Sequence, residues 1–69
     1  MRLNDVKYGN FILKDSVEAV YRKVKITIIF NRHTGKFTAV YCGTRISSQF
    51  LTELLKNVRE DIKEDLRKC

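Results

Sequence analysis

The chain has 69 residues, of which 32% are charged and 43% hydrophobic, with a formal net charge of +6 and two cysteines. That length gives one domain with a thin core. No apolar run approaches the ~20 residues of a membrane span, the first ten residues lack the apolar run and cleavage site of a signal peptide, and one histidine with two distant cysteines makes no metal-ligand set.

Taken in order, Val6–Lys14 reads as a strand, with Phe11 and Leu13 alternating against Asn10, Ile12 and Lys14. Gly9 and Asn10 are also turn signals inside it. Residues 15–24 carry two patterns. Val17, Val20, Tyr21 and Val24 fall on one face of a helix, whereas Val17, Ala19 and Tyr21 alternate as in a strand. We take the strand, a long one running from Val17 to Asn31, because it gives Phe11 and Leu13 a direct pairing partner. A short helix is the alternative.

Residues 23–42 read as a β-hairpin. Its arms, Lys23 to Asn31 and Lys36 to Cys42, are rich in β-branched and aromatic residues. Gly35 between them accepts φ > 0 without steric cost. With Phe30 opposite Phe37, Ile28 faces Ala39 and Ile26 faces Tyr41. One face then holds Val24, Ile26, Ile28, Phe30, Phe37, Ala39 and Tyr41. The other holds Lys23, Lys25, Thr27, Ile29, Lys36, Thr38, Val40 and Cys42, basic towards its ends and apolar in its middle. A one-residue slip would mix the two sets, so the register is well specified.

Gly43 to Ile46 then leave the sheet. Ser47 suits an N-cap, with Ile46 and Leu51 placed as a hydrophobic staple, and the spacing predicts an amphipathic helix over residues 47–68. Leu51, Leu54, Leu55, Val58, Ile62 and Leu66 form its apolar stripe. Lys56 with Glu60 is an i, i+4 pair on the polar side. A helix of about 20 residues, about 30 Å long, is expected to overhang the sheet. Ile62 and Leu66 thus become candidate contacts for a second copy or another protein, as do Ile29 and Val40 on the outer sheet face.

Charge is unevenly divided. Residues 1–46 hold nine Lys/Arg and three Asp/Glu, while residues 47–69 hold five of each, so the whole excess lies on the sheet region. A localised basic excess points to a polyanion. There is no glycine-rich phosphate loop and no nucleophile–base spacing, which argues against an enzyme and implies no cofactor. The binding constellation is Lys23, Lys25, Arg32, His33, Lys36 and Arg45. The four outside the turn are placed to contact phosphate, with Arg32 and His33 reaching a groove or the backbone from the hairpin turn. A two-stranded ribbon fits the major groove of DNA, and a flat sheet can carry a single strand. This scheme requires Lys25 and Lys36 near one another on a face the helix leaves uncovered.

The run from Ile28 to Leu55, with Thr-Gly-Lys at Thr34–Lys36, resembles the arm-type DNA-binding domains of tyrosine recombinases, which have a three-stranded sheet and one C-terminal helix. The strand-then-helix order and small size are also similar to the single-stranded-DNA-binding transcriptional coactivators, which have a four-stranded sheet, one C-terminal helix and a dimer interface. The expectation is an α+β fold in which three antiparallel strands pack under one long C-terminal helix. In function it is a non-enzymatic cytoplasmic accessory protein that binds nucleic acid, DNA rather than RNA. The alternative is a protein-interaction module that regulates or inhibits a larger enzyme.

Overall fold

The computed structural model describes residues 1–68, with side chains placed through Glu64. Leu66 as a side chain, and Cys69 altogether, lie outside the described residues. Two short 3-10 turns, Leu3–Asp5 and Tyr8–Phe11, precede four strands: β1 (Ser16–Tyr21), β2 (Val24–Asn31), β3 (Lys36–Tyr41) and β4 (Thr44–Ser48). One helix, α1 (Leu51–Lys68), ends the described chain. The strands form a single antiparallel sheet in the order β1-β2-β3-β4. The fold is therefore α+β with a C-terminal helix on one face, and the sheet has four strands rather than three.

The expected hairpin register is present, with Phe30 opposite Phe37 and Ile28 opposite Ala39. Alternation then sorts every strand. Ala19, Ile26, Ile28, Phe37, Ala39 and Tyr41 are buried together with Leu54, Leu55, Val58 and Ile62 of α1. The Tyr41 hydroxyl donates to Asp61 Oδ2 at 2.5 Å, fastening β3 to the helix beyond apolar contact.

Four details depart from the sequence reading. Residues 16–31 are strand, but broken by a tight turn at Arg22–Lys23 into β1 and β2. Thr44–Ser48 stays in the sheet as β4, paired with β3 through Ala39–Ile46 and Val40–Arg45. Ser47 is consequently no helix cap: it points to the outer face, where its hydroxyl lies 3.2 Å from that of Thr38. The helix begins at Leu51, and the Phe50 carbonyl accepts from the Leu54 amide. Cys42 falls outside β3, exposed in a turn at φ 44°.

The largest departure is the N-terminus. Residues 1–14 add no strand; they form a lid over the part of the core face that α1 leaves open. Leu3, Val6 and Phe11 are buried, whereas Leu13 is 94% exposed. Phe11 sits edge-on to Phe37 (centroids 5.3 Å apart) and to Phe30 (6.3 Å), and those two stack at 4.7 Å. The lid is tied down at three places. Val20 N–H donates to the Met1 carbonyl at 2.8 Å, which covers part of the β1 edge. Arg59 donates to Asn4 Oδ1 at 2.7 Å. Arg32 donates to Asp15 Oδ1 (2.7 Å) and to the carbonyls of Phe11 (2.9 Å) and Ile12 (3.0 Å). The lid also explains Ile62, which is only 2% exposed. It belongs to the same buried cluster as Leu3 and Val6, so it is used within the chain and does not overhang as a partner contact.

Candidate nucleic-acid interface

Because α1 and the lid both lie on the core face, the other face of the sheet has no covering element among the described residues. It presents Ser16, Glu18 and Val20 from β1, Lys25, Thr27 and Ile29 from β2, Lys36, Thr38 and Val40 from β3, and Arg45 and Ser47 from β4. Cross-strand pairing fixes their rows: Glu18–Thr27–Val40–Arg45 in the middle, and Ser16–Ile29–Thr38–Ser47 beside it. Val20 and Ile29 are 42% and 41% exposed and lie four positions apart along the strands, with Val40 the diagonal neighbour of Ile29 near the middle of the face.

The sequence-predicted cations are distributed unevenly over this face. Lys25 pairs with Val20, and Arg45 pairs with Val40 one row further in. Lys25 and Arg45 are about 12 Å apart at ~4.8 Å per strand and ~3.4 Å per residue. Lys23 lies in the adjoining turn. Lys36 pairs with Asn31 at the other end of the same ladder, six residues or ~20 Å from Lys25 along the strand direction. Lys25 and Lys36 thus share the uncovered face but are not neighbours, and the requirement that they lie close together is not met. Cationic groups mark the two ends of a track instead of forming one patch.

Arg32 and His33 do not act as a pair. Arg32 is turned back onto the lid by the three bonds given above, and its guanidinium also lies 6.0 Å from the Phe30 ring centroid. His33 is exposed, and its backbone amide donates to Asn31 Oδ1. This bond and the Gly35 N–H to Asn31 carbonyl bond (2.7 Å) shape the four-residue loop. The β2–β3 loop is therefore a hydrogen-bonded turn in which Arg32 is engaged with the lid and His33 is left exposed.

Two features of the face were not read from the sequence. Phe50, between β4 and α1, is 63% exposed and shares an open depression with Lys36, Ser47, Ser48 and the acid Glu53. It supplies the aromatic surface that the strands themselves lack. At the opposite end, Arg22 and Lys23 hold φ of 49° and 69°. Positive φ at both positions is the type I′ form of a two-residue hairpin loop, which Asn-Gly adopts cheaply. For other L-residues this region costs roughly 1–2 kcal/mol each. A strained basic pair at the rim of a basic surface is the kind of outlier that suggests a binding role.

Among the described residues no three His, Cys, Asp or Glu side chains are grouped to hold a metal ion. No described helix is long and apolar enough to cross a membrane. Compared with protein-family models, curated proteins and solved structures, the chain matches none.

Proposed function

We propose that the open sheet face binds nucleic acid as a single strand, with DNA the preferred form. Lys23, Lys25 and Arg45 contact phosphates at one end and Lys36 at the other. Thr27, Thr38, Ile29 and Val40 lie under the sugars and bases, and Phe50 offers a ring for stacking. Lys25 and Lys36 lie too far apart for the single patch expected from the sequence, so the reading rests on one uncovered face with basic groups at both ends, Glu18 being the acid among its outward strand positions and Glu53 lying beside Lys36 at the Phe50 rim. Cations that neutralise phosphates release condensed counterions, whatever the sequence. Aromatic stacking adds about 1–3 kcal/mol per base and suits unpaired strands.

Single strand is preferred over duplex for a steric reason. Four strands at ~4.8 Å spacing span about 14 Å before side chains are counted, and the ~12 Å major groove admits only a two-stranded ribbon. The four-stranded sheet with one C-terminal helix also has the strand count of the single-stranded-DNA-binding coactivators, an architectural analogy that leaves function to be tested.

The protein-partner reading rests on a separate observation, the exposed Ile29 diagonal to the half-buried Val40 on the neighbouring strand, an apolar centre on the open face. One titration separates the two. Fluorescence anisotropy of labelled oligothymidylate should show binding whose log K falls linearly with log salt, with a slope of about −2 to −3 for four contacts at ~0.7 each. The same oligonucleotide as a duplex should bind more weakly. Absence of binding at about 50 mM salt, where phosphate contacts are strong, would overturn the nucleic-acid reading and leave the apolar centre as a protein-docking surface.

A further inference from the structure

A second concentration of positive charge lies off the sheet face, between the lid and α1. Two adjoining open depressions meet at Asn4 and Tyr21. Arg2 and Arg22 line the first, and Lys56, Arg59 and Lys63 line the second, with Glu60 the one acid along both. These five cations come from three separate stretches of chain. The helix contributes no net charge over its region of the sequence, yet Lys56, Arg59 and Lys63 stand at i, i+3 and i+7, on one side of it. Among the described residues the one ion pair is Arg32 with Asp15, so Lys56 and Glu60 do not close the pair their spacing permits. Drawing like charges together works against folding unless something else compensates.

One aromatic ring lines this groove. Tyr21 lines both depressions, and the Arg22 guanidinium lies 5.7 Å from its ring centroid. Cations interleaved with a ring are the pattern that tracks a single strand. The groove is also continuous with the sheet face, because the Arg22–Lys23 turn borders both: Lys23 and Lys25 lead onto the face, and Arg22 into the groove. We infer that a bound single strand longer than the sheet face passes round the Arg22–Lys23 turn and continues through the Tyr21 groove, its phosphates held there by Lys56, Lys63 and the neighbouring arginines. This rests on the open-face reading and extends its footprint to a second surface.

The test compares oligothymidylates of about 6 and about 16 nucleotides, the range that small single-strand sites cover. Lys56→Gln/Lys63→Gln is the variant of choice. Both side chains are exposed, whereas Arg59 holds the lid through Asn4. The double variant should bind the short oligonucleotide as the wild type does. On the long one its salt slope should fall by about 1.4, two contacts at ~0.7 each. Equal salt slopes for variant and wild type on the long oligonucleotide would overturn the groove path while leaving the face reading intact. An equal loss on both lengths would also overturn it, since that marks a general field and not a second contact region. Failure of the wild type to bind either length would overturn the face reading and the groove path together.

Discussion

Phe11→Ala should destabilise the protein by about 3–5 kcal/mol, while Leu13→Ala changes its stability by less than about 0.5 kcal/mol. A chain of this length has only about 3–10 kcal/mol in total, at ~0.05–0.15 per residue. Phe11 is 2% exposed and meets Phe30 and Phe37 edge-on, closing the part of the core that lies beyond the helix. Leu13, two residues on, is in solvent. Urea denaturation followed by circular dichroism measures both. The pair is diagnostic because a strand over residues 6–14 would put Phe11 and Leu13 on one face and give them similar weight. Comparable effects from the two substitutions would contradict the lid.

Lys25→Gln/Lys36→Gln/Arg45→Gln should weaken oligothymidylate binding roughly 50-fold at 0.15 M salt, the loss expected when three contacts each release ~0.7 counterion. The salt slope should become shallower by about 2 for the same reason. Folding should be unaffected, since all three side chains are exposed and none is hydrogen-bonded or ion-paired through its charged group in the structure. Lys7→Gln/Lys14→Gln provides the control. It removes positive charge from the lid region, outside the face, and should lower affinity only slightly. A triple variant that binds like the wild type would show that the cations of the sheet are merely solvated.

The hairpin was legible because two strong signals agreed. Alternation in residues 24–30 and 37–41 defined a core face, and Phe30 against Phe37 fixed the register. The helix stripe from Leu51 to Ile62 was equally plain. β4 was not legible. Thr44–Ser48 has one large apolar residue, Ile46, and its two serines look like a helix start; pairing with β3 outweighs that local preference. The Arg22–Lys23 turn was hidden for the opposite reason, since neither residue advertises positive φ. In the lid, the alternation of Phe11 with Leu13 imitated a strand, and the Gly9–Asn10 turn signal was the better guide. Of the candidate site, Lys25 and Lys36 were placed on the outer face by period-two counting alone, whereas Arg45 reaches it through β4, which the sequence reading had outside the sheet. The engagement of Arg32 was not legible, because its partners Asp15, Phe11 and Ile12 are 17 to 21 residues away. Phe50 was missed because a single aromatic at a strand–helix junction carries no periodic signal. The basic side of the helix was readable as Lys56, Arg59 and Lys63, but its meeting with Tyr21 and Asn4 depends on a lid that the sequence reading had made into a strand.

The most direct measurement is an amide chemical-shift map of the isotope-labelled protein titrated with oligothymidylate. Binding on the open face predicts the largest changes at Lys25, Thr27, Ile29, Thr38, Val40, Arg45 and Phe50, with the buried side of α1 at Leu54 and Val58 little affected. Changes that avoid the outer positions of β2, β3 and β4, or no changes at all, would contradict it.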